Sequence, residues 1–322
     1  MHQKPGTIKG QTMNATGPSP NTQSSQKSSR VTQSKQSSSW FSLPAPIRAI
    51  FDTFPLTTYD ENELPQRVSK SRSQNTLHIF TLRGGDDSRN LSPNPACLKW
   101  QAYLLAKRIP FTIVSANNHA SPTGALPFML PGAKKKEPQP QAIISSKLQR
   151  WAETQGASEE KVDIRLGAYM SLIDQNIRSA WLYFLYLQPH NFEGVACKLY
   201  VETASSNTFV QKTLAHQLQA AAREQLLRTR SFIDEEEIYE SAEAAFRSLA
   251  TVLAGQKFFS RSDSPGLFDV SLFAYTHLLL SMERQEADGG LTWENEALLE
   301  ILLRHQSLVE HRQRVLAYCV ET

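Results

Sequence analysis

The spacing of apolar positions changes character along the chain. Residues 1–39 show no periodicity; Ser, Thr, Gln and Asn dominate them. The stretch "WFSLPAPIRAIFDTFPLTTY" from Trp40 is apolar and proline-bounded. Within it Ile47, Ile50, Phe51 and Phe54 fall at i, i+3, i+4 and i+7, which predicts a short helix with Pro46 at its first position and Pro55 past its end. Residues 60–75 are polar again. Between 76 and 156, short runs of strand formers alternate with helical spacing. Leu77–Leu82, Phe111–Ala116, Phe128–Leu130 and Ala142–Ile144 predict strands. A helix is expected from Pro95, capped by Asn94, to about Arg108, and another over Ser146–Gln155 with Gly156 beyond its end. A strand, helix and strand of this length imply a right-handed parallel crossover.

From Ala157 onward every segment carries helical spacing. Helices are predicted over about 160–171, 174–188, 208–230, 234–254, 267–283, 293–305 and 307–320, with Pro189 closing the second and Gly255 the fourth. The expected organisation is a tail over 1–39, an apolar proline-bounded segment and linker over 40–75, a small β-α-β-β-β-α domain over 76–156, and an all-α domain over 157–322.

Charge adds one distinction. The chain's formal net charge is +3, but residues 1–39 carry Lys4, Lys9, Lys27, Arg30 and Lys35 and no acid, so the remainder carries −2. The basic character belongs to the tail, and no basic patch on the fold points to nucleic acid. A segment this polar buries too little apolar surface to offset its ordering entropy, so disorder is expected. An acid-free, Ser-rich N-terminus is also a feature of mitochondrial presequences, though this one has a single arginine and no apolar face. The longest apolar runs, such as "AWLYFLYL" at Ala180–Leu187, are far short of the roughly 18 residues of a membrane span. Cys97, Cys197 and Cys319 are widely spaced, and no histidine pair stands at i, i+4, so neither a disulfide nor a metal centre is expected.

The stretch "GALPFMLPG", Gly124 to Gly132, sets Phe128, Met129 and Leu130 between two prolines, neither able to donate a ladder hydrogen bond. Together with "SDSPGLFDVSLFAY", Ser262–Tyr275, and the order of elements, it resembles the glutathione transferase fold: a thioredoxin-like N-terminal domain followed by an all-helical one, overall α+β. The resemblance implies a cis bond at Leu126–Pro127. It also implies an N-terminal capping box in which Asp269 reaches back to the cap, with Gly266 standing where the family has Ser or Thr. More narrowly, "APIRAIFDTFPLTTY", "NPACLKWQAYLLAK" and "NNHASPTGALPFMLP" resemble fungal metaxin-like proteins of the mitochondrial outer membrane, specifically the anchor-free peripheral subunit of the sorting and assembly machinery (the SAM complex). That resemblance spans roughly residues 44–320.

Glutathione chemistry needs a hydroxyl or thiol near the start of the first helix, backbone groups beside the cis proline, and an acid–serine pair for the γ-glutamyl end. Ser92 and Cys97 are the candidates for the first role; the third falls on Ser145, with Ile144 at the acid position. Loss of that charged partner costs about 1.5–3 kcal/mol of binding. The segment between Ala116 and Gly124 is also short for a helix. The expectation is therefore a non-catalytic, cofactor-free subunit on the cytosolic face of the outer membrane. It would help recognise and insert β-barrel precursors, bound to the barrel subunit and to the longer, membrane-anchored metaxin-like subunit, with Ile47, Ile50, Phe51 and Phe54 as an interface stripe. Lys134–Lys136 offer a contact to anionic lipid. The rivals are a glutathione-dependent transferase and a cytosolic interaction module of the same fold.

Overall fold

In a computed structural model the described residues are 73–82, 91–132, 141–157, 160, 164–282 and 291–320. The stripe Ile47, Ile50, Phe51 and Phe54 and the run Lys134–Lys136 lie outside them. The first domain contains β1 (Thr76–Ile79), α1 (Pro95–Ala106), β2 (Thr112–Ser115), β3 (Phe128–Leu130), β4 (Ile143–Ile144) and α2 (Leu148–Thr154). The sheet order is β2-β1-β3-β4: β1 runs parallel to β2 and antiparallel to β3, and β3 antiparallel to β4. This is the mixed thioredoxin-like sheet. Period-2 alternation places Leu77 and Ile79 on its buried face with Met129, all without solvent exposure. Asn75 ties the sheet together at one end: its side chain donates to the Pro110 carbonyl at 3.0 Å and accepts from the Gly132 amide at 3.0 Å.

In the second domain, Ile164–Ser171, Leu172–Ile177, Arg178–Leu182 and Tyr183–Leu187 continue into one another as a single helical run, α3, with π-type turns in the second and fourth parts. Then come α4 (Pro189–Asn191, continuing through Phe192–Val201), α5 (Thr208–Leu227), α6 (Glu235–Leu253), α7 (Leu267–Ser281), α8 (Ala297–Leu303) and α9 (Gln306–Val320). Pro189 does not simply close α3. It opens α4: Gln188 caps the new helix, its side chain accepting from the Asn191 amide at 3.1 Å, and proline at a first helical position forfeits no hydrogen bond.

Helix α7 is the centre of the molecule. Almost all of it is buried, and α1, α9 and α8 pack around it. Its N-terminus is held by two carboxylates. Asp269, wholly buried, accepts from the amides of Gly266 (2.9 Å), Phe259 (2.7 Å) and Ser260 (3.4 Å) and faces His311 Nε2 at 2.9 Å. Gly266 supplies no side-chain cap. A second carboxylate, Glu160, serves a different donor of the same turn: it accepts from the Leu267 amide through both oxygens (3.1 and 3.0 Å) and pairs with Lys107 just past α1 at 2.9 Å. A Cβ at position 266 would meet Glu160 Oε2 and Ser260 Cβ at 3.2 Å each, so glycine there leaves room for the incoming carboxylate.

Candidate functional site

The start of α1 is built from Asn94 and Pro95. The Asn94 Oδ1 atom accepts from the amides of Ala96 (3.1 Å) and Cys97 (3.2 Å), and the proline nitrogen needs no partner. Ser92 lies buried beneath this turn. Its hydroxyl donates to the Phe80 carbonyl at 2.6 Å and accepts from the Asn94 amide at 3.3 Å, while its own amide donates to Gln101 Oε1 at 2.9 Å. The hydroxyl proton is thus committed to the end of β1.

Cys97 is fully buried in the core, as its place on an apolar helix face predicts. Burial pushes its thiol from 9.0 up to about 11, against smaller opposing effects of the Phe80 backbone and the Ser92 side chain. An unfolded cysteine releases its proton near 9.0, so between pH 9 and 11 the unfolded chain binds fewer protons than the folded one, and this contribution to stability is lost as pH rises through that window. Cys319 acts in the same direction, raised by burial to about 12. A thiol reagent at pH 8 is expected to leave Cys97 unmodified until denaturant is added; mass spectrometry of the labelled peptides reads this directly, and rapid labelling of the native chain would contradict the burial.

Above the start of α1 sits Tyr200 from α4. Its ring is 4.9 Å from Phe80 and 6.2 Å from Tyr186, and its hydroxyl is buried beside Asn94. Burial raises Tyr200 well above the ordinary tyrosine value and Tyr186 to about 12. The sequence-based expectation missed this tyrosine pair with the helix that carries Tyr200. A signal was present: Phe192, Val195, Ala196 and Leu199 stand at i, i+3, i+4 and i+7 immediately after Pro189.

The loop before β3 closes on itself. Asn117 and Asn118 flank the start of a single 3-10 turn, Asn118–Ala120, where a full helix was not expected to fit. Asn117 Oδ1 caps the turn through the His119 amide at 3.1 Å. Gly124 has φ of 70°, a left-handed conformation that suits glycine, and its amide donates to the Ser121 carbonyl at 3.1 Å. The Leu126–Pro127 bond is cis. The Leu126 amide beside it donates to Asn118 Oδ1 at 3.2 Å, so its donor already has a partner inside the loop. Across the β3–β4 ladder Phe128 faces Ile144, which leads into a 3-10 turn, Ser145–Lys147, with no side-chain cap. Ile144 puts a half-buried apolar side chain where the resemblance calls for an acid.

The structure thus places Pro127 just before β3, Ile144 at the end of β4 and Ser145 in the turn that follows it, with Ser92 and Cys97 at the start of α1. Asp269 stands apart from them, in the second domain. A separate pocket of about 360 Å³, lined by residues including Leu253, Lys257, Ser307, Glu310 and Arg314, lies between α6 and α9 and contains none of these residues.

Residues 95–191 match the glutathione S-transferase N-terminal domain, and residues 242–315 match the glutathione S-transferase C-terminal domain. A glutathione transferase from Phanerochaete chrysosporium superposes with a TM-score of 0.50 at 14% identity, over 77% of this chain and 98% of that one. A glutathione transferase family member from Pseudomonas fluorescens, with two glutathiones bound, gives 0.44 at 10% identity over 84% and 97%. Glutaredoxin 2 from Salmonella typhimurium in complex with glutathione gives 0.44 at 13% identity over 76% and 94%. No curated protein sequence matches the chain.

Proposed function

We propose, from the premise that the chain is a member of the glutathione transferase-like superfamily, that it serves as a non-catalytic subunit of the outer-membrane sorting and assembly machinery. The observation that carries the non-catalytic part is the state of the family's ligand-gripping groups. The Leu126 amide is taken by Asn118, the acid position holds Ile144, and the Ser92 hydroxyl is turned into the fold. A thiol tripeptide placed there would have to displace a side chain, lose its charged partner and do without a free hydroxyl. The assembly role rests on the resemblance of the quoted motifs. Its partners would be the barrel subunit, the longer membrane-anchored metaxin-like subunit and β-barrel precursors, and its place the cytosolic face of the outer membrane. Attachment through protein partners suits a chain in which no described helix is long and apolar enough to cross a bilayer.

A mild-detergent pull-down of the tagged full chain from mitochondria tests this proposal. A β-barrel protein is expected in the eluate, and the chain is expected to pass unretained through immobilised glutathione. Absence of any barrel protein overturns the assembly role. Retention on glutathione together with turnover that Ser92→Ala or Cys97→Ala abolishes would establish the transferase instead. Charging Ile50 and Phe51 is expected to weaken copurification while leaving the fold intact; unfolding of that variant would make the stripe part of the chain's own core.

A further inference from the structure

Tyr200 of α4 stands between solvent and the buried start of α1. The residue as a whole is half-buried, yet its hydroxyl lies out of reach of solvent beside Asn94. Its ring rests 4.9 Å from Phe80, just past β1, and 6.2 Å from Tyr186 near the end of α3, both also half-buried. Behind this cluster Ser92 is 1% exposed and Cys97 not at all. Tyr200 falls within 192–241, between the two stretches matched to the family domains, so its place over α1 is a feature of this chain that the match does not supply.

A position that served packing alone would hold phenylalanine here. The Tyr200 hydroxyl makes no hydrogen bond among the described residues, and a buried polar group without a partner costs free energy that an apolar ring avoids. Outside, the same hydroxyl is hydrated, so the loss of ring contacts on leaving is partly offset. The ring is also mounted from one side. Helix α4 packs against the end of α3 and against α5, and toward the first domain it presents Tyr200 to Phe80. Its second part, Phe192–Val201, is wound with π-type turns, which proteins otherwise use singly and often at functional sites. A step back to α-type bonding re-aims the side chains that follow it, and Tyr200 is next to last in the run.

We infer that α4 is a lid and Tyr200 its stopper, filling a cleft at the start of α1 that opens when the ring swings out. The inference deepens the non-catalytic reading above and rests on it in one respect, that a ligand of this fold would enter at that turn. The groups of the first domain that would hold such a ligand are taken or replaced, and the second domain fills the space as well. With the stopper in, small molecules are kept from Cys97 and from the first turn of α1. With it out, a local opening exposes both while the two domains stay folded.

Labelling of Cys97 by methyl methanethiosulfonate on the full chain, read by mass spectrometry of the peptides, reports the lid. Tyr200→Ala is expected to raise the Cys97 rate at least about tenfold under native conditions, with circular dichroism unchanged. Leu249→Ala, which removes buried side chain from α6, is expected to leave the rate as it is. In urea below the unfolding transition, where wild-type labelling becomes measurable, Tyr200→Phe is expected to be about fivefold slower than wild type, because it keeps the ring and drops the unpaired hydroxyl. If Tyr200→Ala fails to fold, Tyr200→Phe decides, and a rate equal to or above wild type overturns the lid. Slow labelling in folded Tyr200→Ala, or equal acceleration in Leu249→Ala, also overturns it and leaves the non-catalytic reading untouched. Fast labelling of Tyr200→Ala without retention on immobilised glutathione supports both. Fast labelling with retention supports the lid and overturns the reading that the first domain has lost its grip on a ligand.

Discussion

Asp269→Ala is expected to lower folding stability by about 3–5 kcal/mol, because it removes the shared acceptor of several buried donors. The side chain has no solvent exposure and neither has His311. Its two oxygens serve the amides of Phe259, Ser260 and Gly266 as well as the imidazole. Alanine would strand three backbone donors and a ring nitrogen at a buried site, each costing about 1–3 kcal/mol before any relaxation. His311→Ala leaves the three amides served and is expected to cost less. Asp269→Asn keeps one oxygen as acceptor and falls between them. Urea unfolding at neutral pH, followed by far-UV circular dichroism, separates the three. A loss below about 1 kcal/mol for Asp269→Ala would mean that the loop 256–266 re-forms its hydrogen bonds elsewhere.

The elements readable from sequence were those whose signals are local. Leu77 and Ile79 alternate with Thr76 and His78, and the structure buries the first pair in β1. Asn94–Pro95 marks the start of α1 because cap and first position are adjacent in the chain. The cis bond at Pro127 came from resemblance, since propensity alone leaves X-Pro bonds mostly trans. Local signals also misled. Pro189 both follows one helix and begins another, and taking it only as a terminus hid α4 and with it Tyr200. At the candidate site, Ile144 was legible because its position relative to Leu148 is fixed by the chain. The capture of the Leu126 amide by Asn118 was not, because an asparagine in a loop has many partners within reach. Glu160 lies 107 residues from the amide it caps, and nothing in a one-dimensional pattern links the two.

That distance makes Glu160 the most informative second target. Glu160→Ala is expected to cost about 2–4 kcal/mol, because it leaves the Lys107 ammonium, 6% exposed, without its carboxylate and the first amide of α7 without an acceptor. Gly266→Ser in the wild-type chain is expected to destabilise by about 1 kcal/mol even though serine is a better cap than glycine, because the added atoms crowd both Glu160 and Ser260 at 3.2 Å. Combined, the two changes should not add. With the carboxylate gone, the hydroxyl introduced by Gly266→Ser has space to accept from the first turn of α7, and Asp269 still reaches back to the cap amide, completing the reciprocal box. The double variant is expected to recover about 1 kcal/mol relative to Glu160→Ala. Strict additivity in urea unfolding would show that crowding against Glu160 does not set the cost of Gly266→Ser. Recovery would show that the Glu160 carboxylate and a serine cap compete for the same space at the start of α7, and that the glycine there is kept for a carboxylate that also holds Lys107 just past α1.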